Sequence, residues 1–553
     1  MKKPLAQLGA WNRLLDSTVR DNIPTPTASL AHPQAINCAP ALIAAFAICG
    51  VLGGISLLVP PSINYDSAIG FLAWRGTLLG AVNSIIEPDR SNIALDTVSF
   101  LTWWSPGQYL VPGAISLLGL PLGAAMTLTV TLALLCCLIG WIVVVREFAP
   151  NTTYALLVVV SVGSFNYSTR AFTSYHGGEI LLEAVTPWLI LAALSIPAMN
   201  VLRAALLAAG AVLVAFIAKL TGLIVVAASL VAACLVSTVL SRRITQGVVG
   251  GALGAVMALI VIYVSFLSRG STPAAGINWS LPLTTIAGSF FSPWVAGMSW
   301  GDLIIFFRPN WGGVHIDVPI GYLAMIAPVA LLIMYIIVGS RLQTTDAIRL
   351  RHFALLFYGV TVICFIFIYI KGGAHTSFEE RHFRSAGTLL FLCALISAFA
   401  AGTAAWIRGS FLVLCALMAL YGVASFSNHE LTTAKGQSLD RASWTNQGIF
   451  DAAAIDFARE IYAKEGRDAL FVLPLFGQAQ SAVTMPVDAR ILVMRFEYEP
   501  EGRYFGRVPG HVVVLVPNDM SDTSKGVVLS AFTDYAPDAW NRKTFANTSV
   551  YFQ

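Results

Sequence analysis

Apolar positions in this chain gather into about eleven long runs, at 39–59, 122–145, 152–169, 180–201, 202–218, 220–240, 244–268, 318–340, 353–370, 385–407 and 409–427. The hydrocarbon core of a bilayer takes roughly 20 helical residues to cross. The pattern therefore predicts an α-helical polytopic membrane protein with about 11 transmembrane helices. Most connections between the runs are short. Two are long, 60–121 and 269–317, rich in aromatic residues and placed on the same side of the membrane by the order of the runs; loops of that length are usually functional or disordered. Within the first, the apolar stretch 109–121 is too short to span and reads as an interfacial or re-entrant element.

The ends differ from the middle. Leu5, Leu8, Trp11, Leu14, Leu15 and Val19 recur at helical spacing within 1–38, which predicts an amphipathic helix on the membrane surface. After residue 427 the spanning runs stop. The stretch 448–465 has helical periodicity, and ALFVLP (469–474), ARILVMRF (489–496) and HVVVLVP (511–517) are strand-length runs bounded by Pro and Gly. The chain thus divides into a segment 1–38, a transmembrane domain 39–427 and a small α/β domain 428–553.

Composition excludes an ordinary soluble protein: 57% of residues are hydrophobic, 11% are charged and mean hydropathy is +0.74, whereas soluble domains carry roughly a quarter charged residues. A net charge of +4 gives no reason to expect nucleic acid. The eight cysteines lie in or beside the apolar runs, as small apolar side chains rather than a disulfide framework. Lys2, Lys3, Arg13 and Arg20 share one side with Arg146, Arg203, Arg242, Arg243, Arg341, Arg349, Arg351 and Arg408. By the positive-inside rule that side is cytoplasmic, which puts the two long loops and 428–553 outside.

The outer layer also collects the chemistry. KGGAHTSFEERHFRSAG (371–387) sets Glu379, Glu380, Arg381, His382 and Arg384 just before a span, in the same layer as Asp66, His176, Glu179, Glu183, Lys219, His315 and Asp317. Ionisable groups beside hydrocarbon are costly unless paired or hydrated. Each also has a plainer reading: Asp66 as the N-cap of a loop helix, Glu379 and Glu380 as ion-pair partners of Arg381, and Lys219 as a side chain snorkelling from a helix end. His176, Glu179 and Glu183 stand at i, i+3 and i+7 on one helix face. Such a set suits a divalent metal ion or substrate, and a polar stripe facing water has the same spacing. His315 and Asp317 in WGGVHIDVP pose the same alternatives. Glu87, Asp89 and Asp96 read as loop solvation.

With NYD (64–66) directly after the first span, a large first outer loop, AFIAKLTGL (215–223) at the outer end of a hairpin and EERHFRSAG (379–387) before a late span, the chain resembles the GT-C superfamily of membrane glycosyltransferases. That group includes the protein O-mannosyltransferases and the aminoarabinose transferases. Ser67 stands where many relatives carry a second acid. The resemblance implies transfer of a sugar from a polyprenyl-phosphate carrier to a glycan, lipid or protein acceptor at the outer, periplasmic face of a bacterial inner membrane. It implies Asp66 as the base for the acceptor hydroxyl, and Lys219, Arg381 and Arg384 as cations for the lipid phosphate. Direct displacement inverts the anomeric centre. His176, Glu179, Glu379, Glu380 and His382 complete the substrate-binding candidates. The alternative is a transporter or flippase of a lipid-linked saccharide, which calls for polar groups at mid-membrane and broken helices.

Overall fold

The computed structural model describes residues 37–102, 104–241, 243–270, 283–300, 345–372, 380–400, 402–435, 439–440, 445–446 and 449–553, with Ala330, Ile333 and Ile336 besides. The predicted helix within 1–38, most of the run 318–340, and Glu379, His315 and Asp317 lie outside these residues.

The first span, α1 (Ala39–Leu58), begins with a proline in its first turn and stops before Pro60 and Pro61, which suits a residue type that cannot continue a helix from within. It leads into the first long loop: β1 (Ser62–Ile63), α2 (Tyr65–Leu78), the antiparallel hairpin β2 (Ser84–Asp89) and β3 (Asn92–Phe100), and α3 (Gly107–Ser116). The apolar stretch 109–121 is thus a short helix followed by exposed Leu117 and Leu118.

The bundle continues with α4 (Leu122–Phe148), α5 (Thr152–Ser164), α6 (Asn166–Thr173), β4 (Ser174–Tyr175), α7 (Gly178–Ser195), α8 (Val201–Ala218), α9 (Gly222–Ser241) and α10 (Gln246–Ser265). After these come α11 (Leu283–Ala296), α12 (Thr345–Gly372), α13 (Arg384–Ala398) and α14 (Ala405–Lys435). Among the described residues seven helices are long and apolar enough to cross a membrane: α1, α4, α7, α8, α10, α12 and α14. The apolar helices α5, α9 and α13 are shorter. Close crossings use small residues: a Cβ on Gly250 or Gly254 of α10 would lie 2.2 Å from the Val201 carbonyl oxygen or 2.0 Å from that of Ala205 on α8, the spacing that lets two helix backbones meet.

Three boundaries differ from the hydropathy pattern. The run 152–169 breaks at Phe165, whose backbone is extended and whose buried ring packs 5.5 Å from Phe391. The run 385–407 ends at Ala398, because the chain turns through Gly402 at φ 82° before α14 starts. Helix α14 then runs on to Lys435, past the boundary read at 428. Mean apolarity does not register such breaks, since the residues on both sides are equally apolar.

Beyond α14, β5 (Leu439–Asp440) and β6 (Thr445–Asn446) return to the bundle, and β6 pairs parallel with β1. The remainder forms α15 (Ala452–Glu465), β7 (Leu470–Leu473), β8 (Arg490–Val493), β9 (Val512–Pro517), α16 (Asp522–Ser530), β10 (Asn541–Thr544) and β11 (Thr548–Phe552), with the sheet ordered β10-β11-β9-β7-β8. Strand β7 is buried on both faces: Phe471 and Leu473 join Ala454, Ile455 and Ala458 of α15, while Leu470 and Val472 face Val528 and Phe532. A run apolar at every position, rather than at every second, is what a doubly covered strand needs.

This sheet is fastened to the first loop. Asp96 of β3 receives Arg490 of β8 at 2.8 Å and Arg467 at 3.3 Å, so it pairs the first loop with this sheet and is not a solvated loop acid. Arg75 of α2 is 8% exposed and donates to the carbonyl oxygens of Ala482, Met485, Pro486 and Ala489 at 2.7 to 3.1 Å. Those carbonyls lie at the end of the 3-10 segment Phe476–Thr484 and in the turn before β8, where those of Ala482 and Pro486 also accept the Met485 and Ala489 amides.

Candidate functional site

Two-residue strands bring distant segments together. β1 pairs in parallel with β4, Ser62 opposite Ser174 and Ile63 opposite Tyr175, and the Asn64 amide continues the ladder onto the Tyr175 carbonyl at 3.2 Å. The segments SINYD and SYHGGE therefore leave the sheet side by side. The Asn64 side chain caps α2 by accepting from the Asp66 amide at 3.0 Å. Asn64, not Asp66, is the cap, and Asp66 is free to project from the first turn, where the helix dipole favours a carboxylate. On the neighbouring segment Gly177 has φ 62°, in the left-handed region that glycine tolerates. A Cβ there would lie 2.6 Å from Gln108 Cβ. The turn sets Glu179 in the first turn of α7.

Cations arrive from two other places. Lys219 follows the last residue of α8 in extended conformation, and its Nζ lies 2.8 Å from Glu179 Oε1. Arg381 stands in the 3-10 turn Glu380–His382 that precedes α13. Its Nη1 lies 3.2 Å from Asp66 Oδ2 and 3.6 Å from Glu179 Oε1. Arg384 reaches Glu183 Oε1 at 2.8 Å and lies 5.2 Å over the Tyr167 ring. Asp66, Arg381, Glu179 and Lys219 thus form one chain of ion pairs, with Arg384 of α13 and Glu183 of α7 a second pair beside it. Three acids face three bases.

The network is graded in its access to water. The Glu183, Glu179, Arg384 and Lys219 side chains are 9 to 15% exposed, whereas Asp66 is 21% and Arg381 29% exposed. Burial pushes the Asp66 carboxyl above the ordinary aspartate range, against the pull of Arg381. His176 Nε2 lies 3.3 Å from Ser174 Oγ, and burial holds the imidazole down at about 4, so it is neutral at ordinary pH.

The remaining predicted residues separate. Glu380 lies in the same 3-10 turn as Arg381, but Arg381 pairs with Asp66 and Glu179 across the fold. The His382 ring packs 6.0 Å from Phe365 of α12, and Phe383 beside it is fully buried at 4.5 Å from the same ring. On the His176, Glu179, Glu183 face the two glutamates are each paired with a cation of the protein at 2.8 Å, and among the described residues no group of three His, Cys, Asp or Glu side chains gathers for a metal. Sequence reasoning missed the pairing of SINYD with SYHGGE, the Asn64 cap and the part played by Gly177. The Gly pair between His176 and Glu179 was a readable signal for a forced turn.

No protein-family model and no curated protein matches the sequence. Solved structures do. The fold is similar to that of ArnT. Against ArnT from Cupriavidus metallidurans in the apo state, the TM-score is 0.52 at 12% identity, over 92% of this chain and 97% of that one. The same ArnT bound to undecaprenyl phosphate aligns over the same shares with a TM-score of 0.49 and 12% identity. The arabinofuranosyltransferase AftD from Mycobacteria aligns at 13% identity and a TM-score of 0.47, over 92% of this chain and 41% of its own. The ArnT-like fold agrees with the GT-C resemblance read from NYD, AFIAKLTGL and EERHFRSAG.

Proposed function

We propose that the protein is an integral-membrane glycosyltransferase that moves a sugar from a polyprenyl-phosphate carrier to an acceptor at the periplasmic face of a bacterial inner membrane. One observation carries this reading: residues 66, 179, 219 and 381, from four separate segments, form a single chain of ion pairs in a fold similar to ArnT. The N-terminal segment is then cytoplasmic, and 428–553 is an outer domain beside the site.

The acceptor hydroxyl oxygen attacks the anomeric carbon while the bond from that carbon to the phosphate oxygen breaks. The bonding pair leaves with the polyprenyl phosphate, the hydroxyl proton passes to the Asp66 carboxylate, and the anomeric configuration inverts. A carboxyl raised above the aspartate range is a better base near neutral pH than an ordinary one. Arg381 is the most exposed cation of the set and lies 3.2 and 3.6 Å from two acids, at longer range than the 2.8 Å pairs of Lys219 and Arg384, so it is the group that receives the lipid phosphate. Lys219 and Arg384, each closed on a carboxylate at 2.8 Å, fix Glu179 and Glu183 and keep the local charge balanced. His176, neutral and beside Glu179, offers a hydrogen bond to a sugar hydroxyl.

The test is release of free polyprenyl phosphate by purified protein in detergent, given a polyprenyl-phosphate sugar and candidate acceptors. Asp66→Asn lowers the rate by about 10²- to 10⁴-fold, the usual worth of a general base. Undiminished release by that variant removes Asp66 from the role, and no release with any donor moves the reading to carrier transport.

A further inference from the structure

Helix α2 carries Asp66 in its first turn and Arg75 in its last, about 13 Å apart along the axis. At one end it presents the carboxylate to Arg381. At the other, the Arg75 guanidinium is sunk into the carbonyls of residues 482–489. Next to it a Cβ on Gly76 would lie 1.9 Å from the Ser84 carbonyl oxygen, so the helix is also pressed directly onto the start of β2. Arg75 makes no ion pair among the described residues, and its donors are consumed by backbone acceptors of the C-terminal fold. A planar fork with four matched acceptors fixes both position and rotation of the helix that bears it. A helix held in rotation at one end is held at the other, because its backbone bonds are continuous.

We propose that Arg75 is a positioning residue: it lets the C-terminal α/β fold set the rotation of α2 and hence the placing of Asp66 against Arg381. The proposal rests on Asp66 being the base, as read above. It gives 428–553 a part in the reaction without any contact to substrate. Loosening the fork leaves Asp66 present and ionisable but out of line, which lowers turnover more than donor binding.

Two measurements on the full chain in detergent test it: amide hydrogen exchange, and kinetics of polyprenyl phosphate release. In Arg75→Met, exchange at residues 64–69 rises about tenfold as the first turn of α2 loosens. Its kcat falls roughly tenfold to hundredfold, the cost of misplacing a reacting group by about 1 Å, with donor KM within about threefold of the native value. Arg75→Lys, which keeps the charge but not the fork, falls between the two and serves alone if the methionine variant does not fold. Faster exchange confined to 482–489, with native exchange at 64–69 and native kcat, overturns the proposal. If the native protein transfers no sugar, the glycosyltransferase reading fails while the exchange result still decides whether Arg75 holds the first turn of α2.

Discussion

Arg75 and Arg381 grip opposite ends of α2 and are held in opposite ways. Arg75 is buried, touches no carboxylate, and spends its donors on four backbone carbonyls at 2.7 to 3.1 Å. Burial lowers its pKa to about 10, which leaves it charged at any physiological pH. Arg381 is 29% exposed and leans on two carboxylates at 3.2 and 3.6 Å. Neutral acceptors in matched geometry make a guanidinium part of the scaffold, since each charge-assisted bond contributes roughly 1.5 to 3 kcal/mol and none has a rival ligand. Acids at longer range in a wetter place contribute little to stability, and they can be exchanged for an incoming phosphate.

The comparison can be broken at Arg381 itself and at two further arginines. Arg384 pairs with Glu183 at 2.8 Å with both side chains largely buried, so Arg384→Met strands a carboxylate. It should lower stability by about 3 to 5 kcal/mol, and Glu183→Gln in the same chain should recover most of the loss; thermal unfolding in detergent reads both. Arg381→Met should cost less in stability, below about 1 kcal/mol, but reduce kcat/KM for the lipid-linked donor by about tenfold to hundredfold. It should also move the acid limb of the pH profile upward. Arg381 favours ionised Asp66; removing it raises the carboxyl further, and a base that must be ionised then fails at a higher pH. A limb that stays in place would separate Arg381 from Asp66 in function. Arg90 lies 2.6 Å from Glu499 with side chains 54% and 42% exposed. Arg90→Ala should shift stability by no more than about 0.5 kcal/mol, and a larger shift would mean that exposure does not rank these pairs.

Where the chain crosses the membrane was legible because burial in lipid demands a continuous apolar surface, and α1, α4, α7 and α8 follow the runs closely. The breaks at Phe165 and Gly402 were not, because they depend on how buried rings and a single turn pack, not on mean apolarity. The site was half legible. One-sided placing of ionisable residues drew out Glu179, Lys219, Arg381 and Arg384, while the choice of Asp66 came from the resemblance of NYD to a family pattern. Partners were the illegible part: Arg381 pairs with Asp66 and Glu179 from distant segments, which β1 and β4 bring side by side. Strands of two residues have no periodicity to read. Arg75 was invisible for a related reason, since its acceptors are carbonyls, which every residue type supplies.

The six charges do not appear together as the chain is made. Asp66, Glu179, Glu183 and Lys219 precede Arg381 and Arg384, and the interval from Lys219 to Arg381 takes about ten to thirty seconds of translation. Until the second arginine emerges, acids outnumber bases in the half-assembled centre, and Glu183 sits in an inserted helix with its later neighbour still unsynthesised. A polypeptide cut short by stalling or proteolysis in that interval is left with carboxylates and no guanidinium, so only a molecule made past residue 384 carries balanced charge there.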